Sequence, residues 1–163
     1  MLDKEAIYDL LDGRGIDYEL TNHKAVYDMA EVAEEDMPYP EANAKNLFIR
    51  DDKKRQYYLI TVQGEKRVDL KAFRAQFDTR RLSFASDQDL MDLMGLSPGA
   101  VSPLGLLNDQ DLRINYYVDR NLVVDGHLIG VHPNDNTATV WLKGQDLVDL
   151  IEASGHQVTV SVL

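Results

Sequence analysis

Apolar and polar residues alternate with two different periods along this chain, and each period predicts a type of local structure. Apolar residues recur at helical spacing in five segments, which are residues 3–13, 28–35, 69–77, 86–95 and 145–153. Short apolar runs or alternation predict strands over residues 16–20, 47–49, 56–62, 82–84, 114–118, 128–131, 137–142 and 157–162. Because strands and helices follow one another irregularly, we expect a mixed α and β domain with an unequal, partly antiparallel sheet.

Polar residues and a glycine mark several predicted helix ends. Asp3 and Asp69 precede helical segments and can accept hydrogen bonds from the free backbone N–H groups that follow them. Ser86 with Asp89 is a variant of the capping box, and Gly95 suits the left-handed conformation that closes a helix. These residues predict where three short helices begin and where one of them ends.

Lys45 stands at the start of a predicted β-hairpin. It precedes the apolar run at residues 47–49 by two positions, and residues 51–54 form a polar turn before the returning strand at residues 56–62. A lysine in this position can lay its methylenes along the edge of the core and hold its ammonium group over a cleft. The alternative is an ordinary edge lysine that protects a sheet from pairing with other chains.

Length and composition limit the class of protein. The 163 residues predict one domain, residues 1–163, because a chain of this length leaves little room for two. The absence of cysteine excludes disulfides, thiolate nucleophiles and cysteine-ligated zinc. The first residues lack the pattern of a signal peptide, and no apolar run approaches the ~20 residues that cross a bilayer. We therefore expect a cytoplasmic protein with no membrane partner.

Charge is distributed unevenly along the chain. The formal net charge is −11, yet residues 45–81 contain 11 Lys and Arg residues against five Asp and Glu residues. This segregation allows a small basic patch on an acidic body. Such a protein can contact a few phosphates, but tight binding of a nucleic acid needs further contacts because each phosphate adds only a salt-dependent increment.

The sequence predicts neither a metal nor a cofactor. The four histidines, His23, His127, His132 and His156, show no HxxxH spacing. Residues 109–120 begin like a calcium-binding loop, but Ile114 replaces the glycine and Arg120 replaces the final glutamate. A Schiff-base or pyridoxal-phosphate role for Lys45 would need a depressed pKa or a phosphate cup, and neither is visible.

A serine hydrolase is a weak alternative. Ser102 lacks the GxSxG sequence of a nucleophile elbow. His132 and Asp135 could complete a triad, but a His and an Asp in one tight turn more often bond to the backbone. What remains is a site without an obvious nucleophile: Lys45, a turn-forming apolar loop at residues 99–103, and His132 on a turn. Such a set suits a substrate that carries its own phosphate and hydroxyl groups, with loop N–H groups stabilising an oxyanion.

The chain resembles the YbaK/prolyl-tRNA-synthetase insertion-domain superfamily of aminoacyl-tRNA editing domains, and within it the free-standing prolyl-tRNA editing proteins. Five segments carry the resemblance over nearly the whole length: Ala44–Asp51, Val68–Lys71, Arg81–Ala85, Gly99–Gly105 and His132–Asn134. The lysine, the GxxxP loop and the His-Pro-Asn turn in this order are fairly specific together, although each is weak alone.

The resemblance implies a single compact α+β domain with a curved, barrel-like mixed sheet flanked by short helices. It implies that Lys45 is the functional lysine, which anchors the 3′-terminal adenosine. The implied substrate-binding residues are Asn46, Gly99, Ala100, Val101, Ser102, Pro103 and His132, with the loop backbone holding the aminoacyl carbonyl and His132 bordering the amino-acid pocket. Attack by water or by a substrate hydroxyl agrees with the missing nucleophile. Nothing near Lys45 in the sequence predicts a lowered pKa, so we expect a fixed positive charge.

The implied function is hydrolysis of the ester in mischarged Ala-tRNA(Pro), acting in trans, with the 3′-aminoacyl end of tRNA(Pro) as substrate and prolyl-tRNA synthetase as a possible partner. A synthetase pocket for proline excludes alanine weakly, because a methylene contributes only about 1–3 kcal/mol. A second, smaller pocket, with Leu20, Met37 and Val101 as candidate walls, would accept alanine by size. Two alternatives stay open: a non-catalytic module that binds aminoacyl-tRNA or a synthetase, and editing of serine, threonine or 2-aminobutyrate.

Overall fold

Two sheets organise the protein in the computed structural model, which describes residues 1–25 and 37–163. The helix predicted over residues 28–35 lies outside the described residues. The strands are β1 (Tyr18–Asn22), β2 (Ala44–Asp51), β3 (Tyr57–Gln63), β4 (Leu82–Phe84), β5 (Ile114–Asp119), β6 (Leu128–Val131), β7 (Ala138–Lys143) and β8 (Val158–Ser161). Each predicted strand is present, with ends that differ from the prediction by at most three residues.

The two sheets differ in their topology. A three-stranded antiparallel sheet has the order β1–β7–β6, and a five-stranded sheet has the order β4–β2–β3–β5–β8. In the larger sheet β5 runs parallel to both β3 and β8, while β2 is antiparallel to β3 and β4. The mixed α+β class is therefore confirmed. Within the described ranges, the strands divide between two open sheets and do not close a barrel.

Four α-helices are described outside the sheets: α1 (Lys4–Gly13), α2 (Leu70–Phe77), α3 (Asp87–Met94) and α4 (Gly144–Ala153). Asp3 and Asp69 cap α1 and α2 by accepting backbone N–H groups, as predicted. Ser86 and Asp89 form a reciprocal capping box at α3, and Gly95 closes that helix with φ of 67°. None of the described helices is long and apolar enough to span a bilayer.

Strand β3 is buried on both faces, and this fixes the position of the hairpin that carries Lys45. Tyr57 and Leu59 face the main core, which also receives side chains from the smaller sheet and from α1, α3 and α4. Tyr58 and Ile60 face a second cluster, where Phe73 of α2 covers the other side of the larger sheet. Because successive side chains of a strand point to opposite faces, one central strand can serve both clusters.

Gly130 lets the two sheets meet. It forms an isolated parallel bridge with Asn43, the residue just before β2. Its partner in the neighbouring strand is Trp141, and a Cβ built on Gly130 would lie 2.3 Å from the Trp141 ring. A side chain is therefore excluded at this position, and the start of β2 is held beside the end of β6.

Candidate functional site

The three segments singled out in the sequence converge at the junction of the sheets. The Asn46 side-chain nitrogen lies 3.5 Å from the carbonyl oxygen of Val101. The Ser102 hydroxyl donates a hydrogen bond of 2.5 Å to the backbone carbonyl of His132. Strand β2, the Gly99–Pro103 loop and the turn after β6 are thus connected by side-chain contacts, although 55 residues separate Asn46 from Val101.

Lys45 is the second residue of β2, opposite Val62 of β3. It therefore lies inside the strand and not ahead of it. Its ammonium group donates to the backbone carbonyl of Lys66, in the segment between β3 and α2. Burial of the half-exposed side chain lowers the pKa of Lys45, and the nearby Arg67 lowers it further. No residue close to Lys45 in the sequence indicates this lowered pKa, because its causes are burial and Arg67, which lies 22 positions along the chain. The expected role of Lys45 as a fixed positive charge stays a prediction. An anionic ligand would offset both effects.

Asn46 is oriented by a chain of hydrogen bonds that starts in the interior. The phenol of Tyr116, in β5, donates to the Thr61 hydroxyl at 2.9 Å, and that hydroxyl donates to Oδ1 of Asn46 at 2.5 Å. Tyr116 and Thr61 are fully buried. Burial raises the pKa of Tyr116, so the phenol stays protonated and keeps its role as donor. With Oδ1 occupied, the amide nitrogen of Asn46 is directed at Val101.

The Gly99–Pro103 loop joins two short 3-10 helices, Pro98–Ala100 and Pro103–Asn108. Ser102 is fully buried and caps the second of these, since its hydroxyl also accepts from the backbone N–H of Leu104 at 3.1 Å. Ala100 and Pro103 are buried as well, whereas Gly99 and Val101 are half-buried. The hydrogen bonds of Ser102 therefore anchor the loop, and its half-buried residues, Gly99 and Val101, border the junction.

The serine-hydrolase alternative finds no support in this arrangement. The Ser102 hydroxyl bonds to the backbone of His132 and not to its ring. Asp135 accepts hydrogen bonds from the backbone N–H and the hydroxyl of Thr137. This bears out the expectation that an Asp in such a turn serves the backbone. Ser102 thus ties the loop to the turn after β6.

His132 presents a neutral ring with a defined tautomer. Its Nδ1 lies 2.9 Å from the carbonyl oxygen of Ala138, and a carbonyl can only accept, so Nδ1 carries the proton. Nε2 then bears the lone pair. Burial lowers the pKa of His132, the hydrogen bond to Ala138 opposes this, and His23 lowers the pKa further. The ring is consequently an acceptor at neutral pH.

His23 is a neighbour of the site that sequence reasoning missed. Its ring centroid lies 6.2 Å from that of His132, and its Nε2 lies 2.9 Å from the Thr139 hydroxyl. Nδ1 contacts the carbonyl oxygen of Lys24 at 2.7 Å, so Nδ1 is the protonated nitrogen. No motif surrounds His23, and only the pairing of β1 with β7 brings it here.

The three candidate pocket walls differ in their placement. Val101 is half-buried, packs against the main core and contacts Asn46. Leu20 is 40% exposed on β1, and Met37 is half-buried. The backbone of Val101 thus lies at the junction, and the role of all three residues as pocket walls stays a prediction. The residues that the structure describes contain no group of three or more His, Asp or Glu side chains that could hold a metal ion.

A match to a known protein family covers the residues of this candidate site. Residues 23–150 match the family of aminoacyl-tRNA editing domains, and this range includes Lys45, the Gly99–Pro103 loop and His132. The chain belongs to that family. The resemblance inferred from the five sequence segments is thereby confirmed, because the match covers more than half of the chain.

Relatives of similar length narrow the family further. The chain is 39% identical over 153 residues to the prolyl-tRNA editing protein ProX of Acetoanaerobium sticklandii, covering 94% of this chain and 93% of that protein. It is 28% identical to the prolyl-tRNA synthetase associated domain-containing protein 1 of Mus musculus, covering 85% of this chain and 83% of that protein. A solved structure described as a candidate trans-editing enzyme for prolyl-tRNA synthetase has the same fold, with a TM-score of 0.68 and 20% identity over 96% of this chain and 94% of that chain.

Proposed function

We propose that this protein hydrolyses the aminoacyl ester of mischarged Ala-tRNA(Pro), acting in trans on the free tRNA. The observation that carries the proposal is the convergence of strand β2, which carries Lys45 and Asn46, with the Gly99–Pro103 loop and the turn at His132. The 39% identity to a protein named for prolyl-tRNA editing supports the same substrate class. Prolyl-tRNA synthetase makes the mischarged tRNA, so the protein works beside that synthetase, in the cytoplasm.

Lys45 anchors the 3′-terminal nucleotide in this proposal. Its ammonium group is half-buried and has one backbone carbonyl as its hydrogen-bond partner in the described structure, which leaves donors for a phosphate or ribose oxygen. A lysine serves such a ligand as a point charge, and the hydrogen bonds it makes are charge-assisted. Binding an anion also restores the charged state that burial and Arg67 disfavour.

The Gly99–Pro103 loop and His132 act on the ester itself. A water, activated by its surroundings or by the free ribose hydroxyl, attacks the carbonyl carbon. Loop N–H groups stabilise the resulting oxyanion, with each donor contributing about 3 kcal/mol. The carbon–oxygen bond to the ribose then breaks, the ribose oxygen takes up the proton of the water, and alanine leaves with a carboxyl group. Neutral His132, with its lone pair on Nε2, accepts a hydrogen bond from the α-amino group of the alanyl moiety.

Amino-acid selection depends on size at Val101. The loop is fixed by Ser102 from one side and by Asn46 from the other, so it yields little to a larger substrate. Proline adds a ring to the volume of alanine, and an overpacked site costs roughly 1–3 kcal/mol. The synthetase pocket excludes amino acids larger than proline, and this site excludes proline itself. The two pockets together discriminate alanine from proline on tRNA(Pro).

A deacylation panel tests the proposal. Purified protein is incubated with Ala-, Pro-, Ser-, Thr- and 2-aminobutyryl-tRNA(Pro), and the loss of each ester is followed over time. We expect rapid loss of the alanyl ester and retention of the prolyl ester. Faster loss of the seryl, threonyl or 2-aminobutyryl ester than of the alanyl ester would show that the substrate carries that amino acid and not alanine. Binding of the alanyl-tRNA without hydrolysis would identify a non-catalytic module instead.

A further inference from the structure

A group of cations continues outward from Lys45 along the segment between β3 and α2. The carbonyl of Lys66 accepts the Lys45 ammonium, and the charge of Arg67 is close enough to lower the pKa of Lys45. Residues 66–74 contain four basic residues and one acidic residue, in a chain whose formal charge is −11. The basic segment noticed in the sequence thus begins, in space, beside the proposed anchor of the 3′ end.

Helix α2 presents two of these cations on its outer face. Lys71 and Arg74 are exposed and lie one helical turn apart, whereas Phe73 is buried in the second core cluster. Lys71 and Arg74 border an open depression of about 420 Å³. The helix is held against the sheet, since the Phe73 and Tyr117 rings are 4.8 Å apart and the Gln76 amide donates to Ser161 at 3.1 Å. Its outer face is therefore a fixed surface.

The cations on this surface are available to a ligand. Lys66 is paired with the buried Asp119 at 2.7 Å, but Arg67, Lys71 and Arg74 make no ion pair with any residue in the described ranges. The carboxylate of Asp69 is occupied by the backbone N–H groups of Lys71 and Ala72. Asp78, at the far end of α2, is the acidic residue that borders the depression.

We propose that the face of α2 formed by Lys71 and Arg74, with Arg67 in the segment that precedes the helix, binds the sugar–phosphate backbone of the tRNA acceptor stem. This inference rests on the proposed function, which places the 3′ end at Lys45. The strand that ends there must leave the site past a neighbouring surface, and α2 extends for about 12 Å. The acidic remainder of the protein repels RNA, so a local cationic surface both attracts the stem and limits its orientation. These are contacts with phosphates and carry no sequence information.

The test uses a charge-reversed protein and two substrates. Lys71→Glu/Arg74→Glu is compared with Lys53→Glu/Arg55→Glu, which makes the same change of charge on exposed residues beyond the far end of β2. Each protein is assayed with full-length Ala-tRNA(Pro) and with a short RNA that carries only the alanylated 3′ end. We expect the α2 variant to lose at least tenfold in kcat/KM on the full tRNA and to keep its activity on the short RNA, while the control variant keeps both.

Salt dependence identifies the lost contacts as phosphates. Loss of two phosphate contacts reduces the slope of log K against log salt by roughly 1.5. An unchanged slope and unchanged kcat/KM on the full tRNA would overturn the proposal, as would an equal loss on the short RNA. Filter binding of uncharged tRNA(Pro) to the same variants separates this proposal from the proposed function. If the protein hydrolyses no ester but binds tRNA through α2, the proposed function fails and the tRNA-binding surface stands. If it hydrolyses the ester equally well without the α2 cations, the proposed function stands and the tRNA-binding surface fails.

Discussion

Thr61 connects the interior of the protein to Asn46, because its hydroxyl donates to Oδ1 of Asn46 while accepting from the phenol of Tyr116. This chain of hydrogen bonds joins β5, β3 and β2 and ends at the carbonyl of Val101 in the Gly99–Pro103 loop. The loop is therefore positioned from the core and not only by its own prolines. Since Asn46 is the next residue after Lys45, the same chain also fixes the strand that carries the proposed anchor.

Replacing Thr61 with valine tests this positioning. Thr61→Val keeps the shape but leaves Oδ1 of Asn46 and the Tyr116 phenol without their partner, which costs about 1–3 kcal/mol of stability. We expect kcat on Ala-tRNA(Pro) to fall about tenfold with KM nearly unchanged, because the loop is misplaced while Lys45 still binds. Thr61→Ser restores the hydroxyl and should restore kcat. If Thr61→Val is less stable but has an unchanged kcat, the hydrogen bonds from Tyr116 through Thr61 to Asn46 have only a structural role.

Lys45→Ala should abolish most activity without unfolding the protein. The ammonium group is half-buried and bonds to one backbone carbonyl, so its removal changes the stability little. Charge-assisted hydrogen bonds contribute roughly 1.5–3 kcal/mol, and we expect kcat/KM to fall by about a hundredfold. Lys53→Ala, in the exposed turn after β2, is the matched control. Unchanged hydrolysis by Lys45→Ala, measured beside thermal unfolding, would place the function elsewhere.

The pH profile should report the neutral state of His132. Burial lowers its folded pKa below the ordinary 6.5, so the unfolded chain takes up the proton first as the pH falls. The contribution of His132 to stability is then present above pH 6.5 and is lost as the pH falls through the folded pKa. Hydrolysis should follow the same course, with an acid limb whose midpoint is below 6.5.

A neutral substitute provides the control for that profile. Glutamine at this position keeps an acceptor but does not titrate, so His132→Gln should show a lower rate and no acid limb between pH 5 and 7. Rates are measured on Ala-tRNA(Pro) and corrected for spontaneous hydrolysis of the ester. If the limb persists in His132→Gln, another group titrates and the proposed role of His132 fails.

The sequence was most informative where local rules decide the structure. The N-caps Asp3 and Asp69, the capping box at Ser86 and the Lys45 hairpin all depend on residues within a few positions of one another, and all are present. Motif order also identified the loop and His132, which the structure brings together. The hydrophobic pattern did not predict the side-chain contacts that depend on the pairing of strands distant in the sequence.

Long-range partners explain the remaining differences. Thr61 and Tyr116 carry no motif, and their hydrogen bonds to one another and to Asn46 exist only because β3 lies between β2 and β5. His23 reaches His132 through the pairing of β1 with β7. The two sheets meet at the bridge between Asn43 and Gly130, and alternation of apolar residues gives no sign of such a contact. The pKa of Lys45 depends likewise on burial, which only the folded structure supplies.

Asp109 illustrates the same limit and gives the last prediction. In the sequence it begins a failed calcium-loop pattern, but in the structure its carboxylate lies 3.0 Å from Nε2 of His156, with side chains only 2% and 1% exposed. It also accepts the backbone N–H groups of Arg113 and Ile114. Burial raises the pKa of Asp109, but the hydrogen bonds from His156 and these N–H groups outweigh it, and the pKa is lowered. This part of the stability is therefore present above pH 3.8 and is lost as the pH falls through the folded pKa.

Breaking the pair should affect folding and not catalysis. His156→Ala leaves a buried carboxylate without its side-chain partner, and we expect the free energy of unfolding to fall by about 3–5 kcal/mol. His127→Ala, at an exposed histidine outside the core, is the control and should change stability by less than about 0.5 kcal/mol. Denaturant unfolding measures both, and kcat per folded molecule on Ala-tRNA(Pro) should equal that of the wild type. A reduced kcat in folded His156→Ala would show that the pair also positions the site, since Asp109 ends the 3-10 helix that begins at Pro103.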